Sequence, residues 1–208
     1  NSQGQVKLPA IFSDHMVLQA QSNVPVWGKA KPGSKVSIKT SWSKSEQTVT
    51  AASDSSWKIV LKTPEPGSIH SLRINNGKVF EINDILMGDV WLCSGQSNMT
   101  MPLKGFPNDP VQGSMDEILN SKHKDIRLFD VGRATGLDPQ FDLRGSWKVV
   151  TPENLANFSA TAWFFGKTLN EVLHQPVGLI TSSWGGSHIE TWMSKNALNN
   201  FPEIDLPM

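Results

Sequence analysis

The sequence predicts two domains of different class: an all-β sandwich over residues 1–86, followed by an α/β domain over residues 87–208. Short strand-like segments separated by turn residues recur through the first part, as is typical of a sandwich. A near-continuous apolar run follows Asp84, as expected for a strand buried on both faces of a parallel sheet. Beyond this run the order is helix, strand, Gly-Gly turn and helical start, which is α/β in character.

Alternating polar and apolar residues predict the N-terminal strands. Residues 24–28 form a short strand ending in a turn, and residues 35–40 and 57–61 alternate clearly. Asn75-Asn76-Gly77 separates two further β-prone segments, residues 71–74 and 79–82, and is a strong hairpin signal. This spacing favours a small accessory domain of the jelly-roll or immunoglobulin-like kind, and its polar residues form no cluster that looks catalytic.

The α/β part is predicted to begin with the buried strand of residues 85–94. A short helix is then predicted over residues 115–119 and a strand over residues 126–131. Residues 132–158 are rich in Gly, Pro, Asp and Asn, so we expect an excursion there and not a sheet element.

A capped helix and a second buried strand complete the predicted order. Ser159 is the expected N-cap, and residues 174–176 end the helix. Residues 177–183 then form the strand, and a helical start is predicted at residues 189–193. The apolar face of the helix is expected from residues at helical spacing: Ala162, Phe165, Leu169, Val172 and Leu173.

Composition bounds the partners that the chain can have. With 38% hydrophobic and 18% charged residues among 208, the chain is globular and not disordered. Its formal net charge is zero, so neither nucleic acid nor an acidic membrane surface is an expected partner. No apolar run approaches the roughly 20 residues of a membrane span. No Cys/His cluster at metal-ligand spacing is present, and no cofactor is expected.

Two residue types leave alternatives open. The single cysteine, Cys93, is either a thiol nucleophile or, as its apolar surroundings favour, a small buried hydrophobe. The eight tryptophans, in a chain without tyrosine, are either large core residues or platforms for sugar rings.

Two strand ends carry candidate chemistry. Ser97 follows the first buried strand within Gly95-Gln96-Ser97-Asn98, which is either a nucleophile turn or a polar turn. Gly185-Gly186 follows the second strand and either leaves bare N–H groups for an oxyanion or makes a tight turn. If the two strands are parallel neighbours, both turns open on the same edge of the sheet.

Three segments resemble the sialate O-acetylesterase family of the SGNH hydrolases. Residues 95–99, Gly-Gln-Ser-Asn-Met, are similar to the nucleophile block of that family. Residues 176–193, Pro-Val-Gly-Leu-Ile-Thr-Ser-Ser-Trp-Gly-Gly-Ser-His-Ile-Glu-Thr-Trp-Met, resemble its second block over the whole length. Residues 8–19, Leu-Pro-Ala-Ile-Phe-Ser-Asp-His-Met-Val-Leu-Gln, are similar to the start of the N-terminal β-domain of bacterial members. The resemblance implies a flavodoxin-like SGNH hydrolase domain with serine esterase activity.

The resemblance also implies roles for individual residues. Ser97 matches the nucleophile, and its own N–H would be one oxyanion donor. Gly185 matches the second donor, with Gly186 as the alternative and a further candidate for substrate contact. The candidate substrate-binding residues also include Gln96 and Asn98, whose suggested role is to orient the Ser97 loop.

Two residues close to the glycine pair have competing interpretations. His188 either contacts the substrate or belongs to the first turn of a helix. For Glu190, the first turn is favoured, because a carboxylate suits the positive end of the helix dipole.

The chain also departs from the family pattern. The family has a third block, Trp-x-Gln-Gly-Glu-x-Asn, whose asparagine completes the oxyanion hole, and an Asp-x-x-His pattern that supplies the general base and its orienting carboxylate. Neither pattern occurs in this sequence. None of the five histidines has an aspartate three positions before it: His15, His70, His123, His174 and His188. We therefore expect the N-terminal part of a longer bacterial esterase, cut within its catalytic domain and inactive or nearly so by itself.

The implied partner is an O-acetylated sialic acid, with acetyl-xylan or another acetylated glycan as the alternative substrate. A non-catalytic carbohydrate-binding module, resting on the sandwich and the tryptophans, is the alternative from a different functional class. The resemblance implies a periplasmic or secreted location.

Overall fold

The computed structural model describes residues 6–136 and 138–201. Its strands are β1 (Val17–Gln19), β2 (Asn23–Lys29), β3 (Lys35–Thr40), β4 (Glu46–Thr50), β5 (Ser56–Lys62), β6 (His70–Asn75), β7 (Val79–Gly95), β8 (Ile126–Asp130), β9 (Trp147–Val149) and β10 (Val177–Ser183). Its helices are α1 (Ser97–Thr100), α2 (Ser114–Leu119), α3 (Pro152–Ala156), α4 (Ala160–Leu173) and α5 (Lys195–Leu198), with a 3₁₀ turn at Ile189–Trp192. No helix of the described ranges is long and apolar enough to cross a membrane.

The N-terminal strands form because apolar and polar residues alternate along them. In β5, every second side chain, Trp57, Ile59 and Leu61, is buried. Strands β2 and β5 pair antiparallel as a two-stranded sheet, and β4, β3, β6 and β7 follow one another in a second sheet. Buried side chains from both sheets share one hydrophobic cluster, so the two sheets pack against each other.

Strand β7 joins the two halves of the chain. Its first part pairs antiparallel with β6, and its later part pairs parallel with β1 and then with β10. The predicted boundary between residues 86 and 87 therefore lies within a single strand. A self-contained N-terminal sandwich is not confirmed, because one of its sheets continues directly into the parallel part.

The parallel part confirms that the two strands that precede Ser97 and Gly185 are parallel neighbours. Strand β10 lies between β7 and β8 and pairs parallel with both. The register places Ser183 beside Gly95, so β7 and β10 end at the same edge of the sheet. The prediction that residues 132–158 contain no sheet element is wrong: β9 pairs antiparallel with β8, and Trp147 is buried at 4% exposure.

The apolar face predicted for α4 is largely wrong. The helix begins after Ser159, whose hydroxyl accepts a hydrogen bond from Ala162 N, as the sequence predicts. However, the side chains of Phe165, Val172 and Leu173 are exposed. The buried face consists of smaller residues and one tryptophan: Ala160, Ala162, Trp163 and Gly166.

Close packing explains which face of α4 is buried. A Cβ placed on Gly166 would lie 2.5 Å from Leu179 Cδ1, so the absence of a side chain brings the helix against β10. Trp163 is buried in the same hydrophobic cluster as Leu179 and donates through Nε1 to Glu117 of α2. Local packing of small and large residues therefore outweighs the hydrophobic pattern.

The first buried strand is also less buried than the sequence predicts. Ile85 and Met87 are fully buried, but Trp91 and Leu92 are 43% and 68% exposed. Beyond Gly88, β7 has β10 as its strand neighbour on one side, and the β1 ladder has ended. The amide of Gln19 closes that ladder by accepting a hydrogen bond from Val90 N.

Candidate active site

Ser97 lies where the backbone of β7 turns into α1. Gly95 has a φ of +151°, a conformation that side chains rarely adopt, and Gln96 occupies the N-cap position of the helix. The Ser97 side chain is exposed, and its Oγ donates a hydrogen bond to Gln96 Oε1 over 3.2 Å. As the first residue of α1, Ser97 has a backbone N–H with no partner inside the helix.

The Gly-Gly segment after β10 is a tight turn. Ser187 N donates to Trp184 O over 3.2 Å, and Gly186 has a φ of +79°, the conformation required at the third position of a type II turn. The turn therefore explains why residue 186 is glycine. It leaves the N–H of Gly185, at the second position, free of the turn hydrogen bond.

The two turns meet at Ser97. A Cβ placed on Gly185 would lie 3.6 Å from Ser97 Oγ and 3.8 Å from Ser97 Cα, whereas one placed on Gly186 would contact nothing within 4 Å. The Cβ position of Gly185, and not that of Gly186, therefore faces the Ser97 hydroxyl. This geometry favours Gly185 over Gly186 as the donor to an oxyanion formed at Ser97.

Hydrogen bonds hold this contact in place. Trp184 N donates to Gly95 O over 3.0 Å, which extends the β7–β10 pairing by one step into the turns. Thr100 Oγ1 lies 3.0 Å from Ser183 Oγ and 3.0 Å from Gln96 O, so α1 is tied to the end of β10. The two loops are therefore held in position before any substrate binds.

The other candidate residues lie around these turns. Asn98 accepts a hydrogen bond from Thr161 Oγ1 through its backbone carbonyl, which ties α1 to α4. His188 is exposed at the N-cap of the 3₁₀ turn, and its ring makes no hydrogen bond within the described residues. Glu190 lies in the first turn of that element, as its favoured interpretation predicts.

Within the described residues, no imidazole or carboxylate forms a hydrogen bond with the Ser97 hydroxyl, so no general base is in place there. The one His–Asp pair of the described residues joins His15 Nδ1 and Asp84 Oδ2 over 2.6 Å, and Arg127 Nη2 donates to both carboxylate oxygens of Asp84 over 3.0 Å. Asp84 precedes the whole parallel part of β7, whereas Ser97 follows it, a separation of roughly 35 Å at the rise of an extended strand. This pair therefore supports the opposite end of the sheet and cannot take the proton of Ser97.

Comparison with known proteins identifies the family. Over 92% of its length, the chain is 32% identical to the sialate O-acetylesterases of Mus musculus and Homo sapiens. The chain belongs to the sialate O-acetylesterase family. It spans 38% of the mouse protein and 39% of the human protein.

A solved structure supports this assignment. The chain is similar to a carbohydrate acetylesterase from Xanthomonas citri, with 32% identity and a TM-score of 0.86. The match covers 95% of this chain and 44% of that one. No family model matches the chain. The likeness thus rests on individual relatives of the sialate O-acetylesterase family and extends over both halves of the described fold.

Cys93 is not suited to act as the nucleophile of this sialate O-acetylesterase homologue. Its side chain lies in the second hydrophobic cluster at 7% exposure, and burial raises the pKa of its thiol. A raised pKa lowers the thiolate fraction and hence the reactivity. The structure therefore favours the interpretation of Cys93 as a small core residue.

Sequence reasoning missed a groove beside the two turns. The groove has a volume of about 490 Å³ and runs from the ends of β8 and β10 along residues 131–135, 140 and 142–144. Arg133, Arg144, Trp184 and Trp192 line it. The loop that forms it lies within the excursion predicted for residues 132–158. The sequence signal that could have indicated a binding groove there is the pair of arginines, Arg133 and Arg144, between two strands.

Proposed function

We propose that this chain carries the nucleophile and part of the oxyanion hole of a serine carbohydrate esterase that removes O-acetyl groups from sialic acids. The position of Gly185, where an added Cβ would lie 3.6 Å from Ser97 Oγ, is the observation that carries the proposal. The names of the relatives in Mus musculus, Homo sapiens and Xanthomonas citri support the reaction class. A periplasmic or secreted location is part of the proposal.

The reaction would proceed through an acetylated serine. A general base takes the proton of Ser97 Oγ while the oxygen bonds to the acetyl carbonyl carbon. The resulting oxyanion accepts hydrogen bonds from the N–H groups of Ser97 and Gly185. Collapse breaks the bond to the sugar oxygen, which receives the proton from the base. Water then loses a proton to the base and bonds to the acetyl carbon, the bond from that carbon to Ser97 Oγ breaks, Oγ takes the proton, and acetate leaves.

The general base and its carboxylate would come from residues outside this chain. Within the described ranges, the Ser97 hydroxyl donates its hydrogen bond to the neutral amide of Gln96. A serine hydroxyl without a base is a weak nucleophile. The relatives are more than twice as long as the matched region, which leaves room for these groups.

Activity of the chain alone tests this division of the site. We expect the 208-residue polypeptide to hydrolyse p-nitrophenyl acetate no faster than its Ser97→Ala variant does. Turnover that depends on Ser97 in the isolated chain would overturn the proposal that the base lies elsewhere.

Covalent labelling of the full-length protein tests the nucleophile. A fluorophosphonate probe is expected to label the protein, and Ser97→Ala is expected to abolish labelling. Ser94→Ala is the matched control, because Ser94 is an exposed serine at the end of the same strand. Labelling that survives Ser97→Ala, or that is lost equally in both variants, would contradict the assignment.

The alternative substrates are acetyl-xylan and other neutral acetylated glycans, because the two blocks around Ser97 bind the acyl centre and not the sugar. Comparing kcat/KM for O-acetylated sialic acid and acetyl-xylan in the full-length protein decides between them. Preference for sialic acid is expected, and preference for xylan would reject the finer part of the proposal.

A further inference from the structure

The groove beside the two turns begins one residue from the proposed oxyanion donor. Trp184 lines it and directly precedes Gly185, and Ser182 and Ser183 at the end of β10 also line it. A sugar whose acetyl group is held at Ser97 can therefore extend into this groove. The chemistry of the lining residues indicates which sugars fit.

The groove contains two positively charged side chains that have no carboxylate partner within the described ranges. Neither Arg133 nor Arg144 forms an ion pair there, although other arginines of the chain do. Asp142 also lines the groove, but its Oδ1 accepts hydrogen bonds from Ala10 N and Leu143 N. Its Oδ1 is therefore engaged with backbone donors that fix the loop.

Backbone contacts hold the two arginines together. Gly132 N donates to Arg144 O over 2.7 Å, and Arg144 Nη2 donates to Arg133 O over 2.5 Å. A Cβ on Gly132 would lie 2.9 Å from Arg144 Cβ, so the close approach of these loop segments depends on a glycine. The guanidinium groups are consequently presented by a defined loop structure.

Two aromatic rings complete the lining. The Arg133 guanidinium lies 5.7 Å from the ring centroid of Trp184, a cation–π geometry that orients it. Trp192 donates through Nε1 to Ser187 Oγ over 2.8 Å. The rings of Trp184 and Trp192 remain 39% and 40% exposed, so each offers part of a flat apolar face to a sugar.

We propose that Arg133 and Arg144 bind the carboxylate of an acidic sugar whose acetyl ester is held at Ser97. A guanidinium matches a carboxylate through paired N–H donors, and neither a neutral xylose nor a neutral hexose offers that partner. This inference rests on the proposed function and makes the groove a determinant of specificity. It favours sialic acids, or acetylated uronic acids, over neutral glycans.

Steady-state kinetics of the full-length protein test the inference. Arg133→Gln and Arg144→Gln are each expected to raise KM for an O-acetylated sialic acid by roughly 10- to 100-fold, the range for a charge-assisted hydrogen bond. The kcat/KM for p-nitrophenyl acetate, which has no sugar carboxylate, should fall far less than that for the sialic acid. Lys148→Gln is the matched control, because Lys148 is an exposed cation on β9 outside the groove. Unchanged KM for the acidic sugar, or equal losses on both substrates, would overturn the inference.

A binding measurement separates this inference from the esterase mechanism. In the full-length Ser97→Ala variant, calorimetry is expected to show binding of unacetylated sialic acid that weakens at least tenfold for its methyl ester. Equal binding of acid and ester would overturn the carboxylate site even if the esterase were confirmed. Carboxylate-selective binding without Ser97-dependent hydrolysis would support the groove and reject the proposed function.

Discussion

Gly185→Ala places a methyl group against the nucleophile without changing any charge or hydrogen-bond donor. The added carbon would lie 3.6 Å from Ser97 Oγ and 3.8 Å from Ser97 Cα, which are ordinary van der Waals separations. Gly185 is also outside the left-handed backbone region. The fold should therefore accept the methyl group, with unfolding free energy unchanged or raised by about 0.4–1 kcal/mol through the restricted unfolded chain.

The same methyl group should interfere strongly with catalysis. The attacked carbonyl carbon must approach to about 3–3.5 Å from the nucleophilic oxygen, and a displacement of about 1 Å from productive geometry can cost roughly a hundredfold in rate. The methyl carbon lies 3.6 Å from Ser97 Oγ and competes for that space. We expect kcat/KM of the full-length protein to fall by about 10²- to 10³-fold, comparable with loss of one oxyanion donor.

Two further glycine variants make the experiment decisive. Gly186→Ala adds a methyl group in open space but at a φ of +79°, and Gly33→Ala does the same at +76° in a remote turn. Each should lose about 1 kcal/mol of stability through backbone strain. Thermal unfolding and turnover of p-nitrophenyl acetate are measured for all three. A folded Gly185→Ala protein with wild-type kcat/KM, or a larger loss in Gly186→Ala than in Gly185→Ala, would refute the reasoning.

Three further variants test the framework of the site. Gly88→Ala should lose at least 3 kcal/mol of stability or fail to fold, because its Cβ would lie 2.0 Å from Pro176 O, a rigid backbone atom; a wild-type urea midpoint would contradict this. Asp84→Asn should lower the unfolding free energy measured in urea by about 3 kcal/mol, because the buried Arg127 side chain, 6% exposed, would keep its charge without a carboxylate partner. A loss below about 1 kcal/mol, the range of exposed ion pairs, would argue against a buried pair. Burial raises the pKa of Glu117, but hydrogen bonds from an ammonium and an indole outweigh this and hold it below its ordinary 4.5. The stabilisation by ionised Glu117 is therefore present above pH 4.5 and lost as the pH falls through the lowered pKa. The difference in unfolding free energy between wild type and Glu117→Gln should accordingly shrink in acid. A difference that does not depend on pH would contradict this assignment.

The sequence predicts the elements of the parallel part well where a local signal decides them. Ser159 caps α4 and His174 ends it in a left-handed conformation, both at the predicted positions. The two strand ends lie at one edge of the sheet, as the Ser97 and Gly185 segments indicate. Capping residues and buried strands act over a few residues, so their pattern is visible without knowledge of the fold.

Features that depend on distant partners were less predictable. The face of α4 follows from the approach of Gly166 to Leu179, which no helical periodicity reveals. Strand β9 depends on pairing with β8 across an irregular loop, and β7 continues through the predicted domain boundary because β6, β1 and β10 pair with it in succession. The groove has the same origin, since its arginines and tryptophans come from separate segments.

The candidate site could be predicted only in part. The nucleophile turn and the glycine turn have recognisable sequences, but only the fold shows that Gly185, and not Gly186, lies against Ser97 Oγ. The groove residues carry no motif, because recognition of a sugar requires only suitable groups at suitable places. Their function therefore has to be argued from charge, exposure and contacts.

Trapping of the acetyl-enzyme tests the central claim most directly. The full-length protein is mixed with an O-acetylated sialic acid, quenched in acid before deacylation is complete, digested and analysed by mass spectrometry. The account predicts that the peptide carrying Ser97 gains the mass of one acetyl group and that fragmentation places the group on that serine. Two results would contradict the account. One is hydrolysis of the substrate with the acetyl group trapped on another residue, and the other is hydrolysis by the Ser97→Ala variant at the wild-type rate.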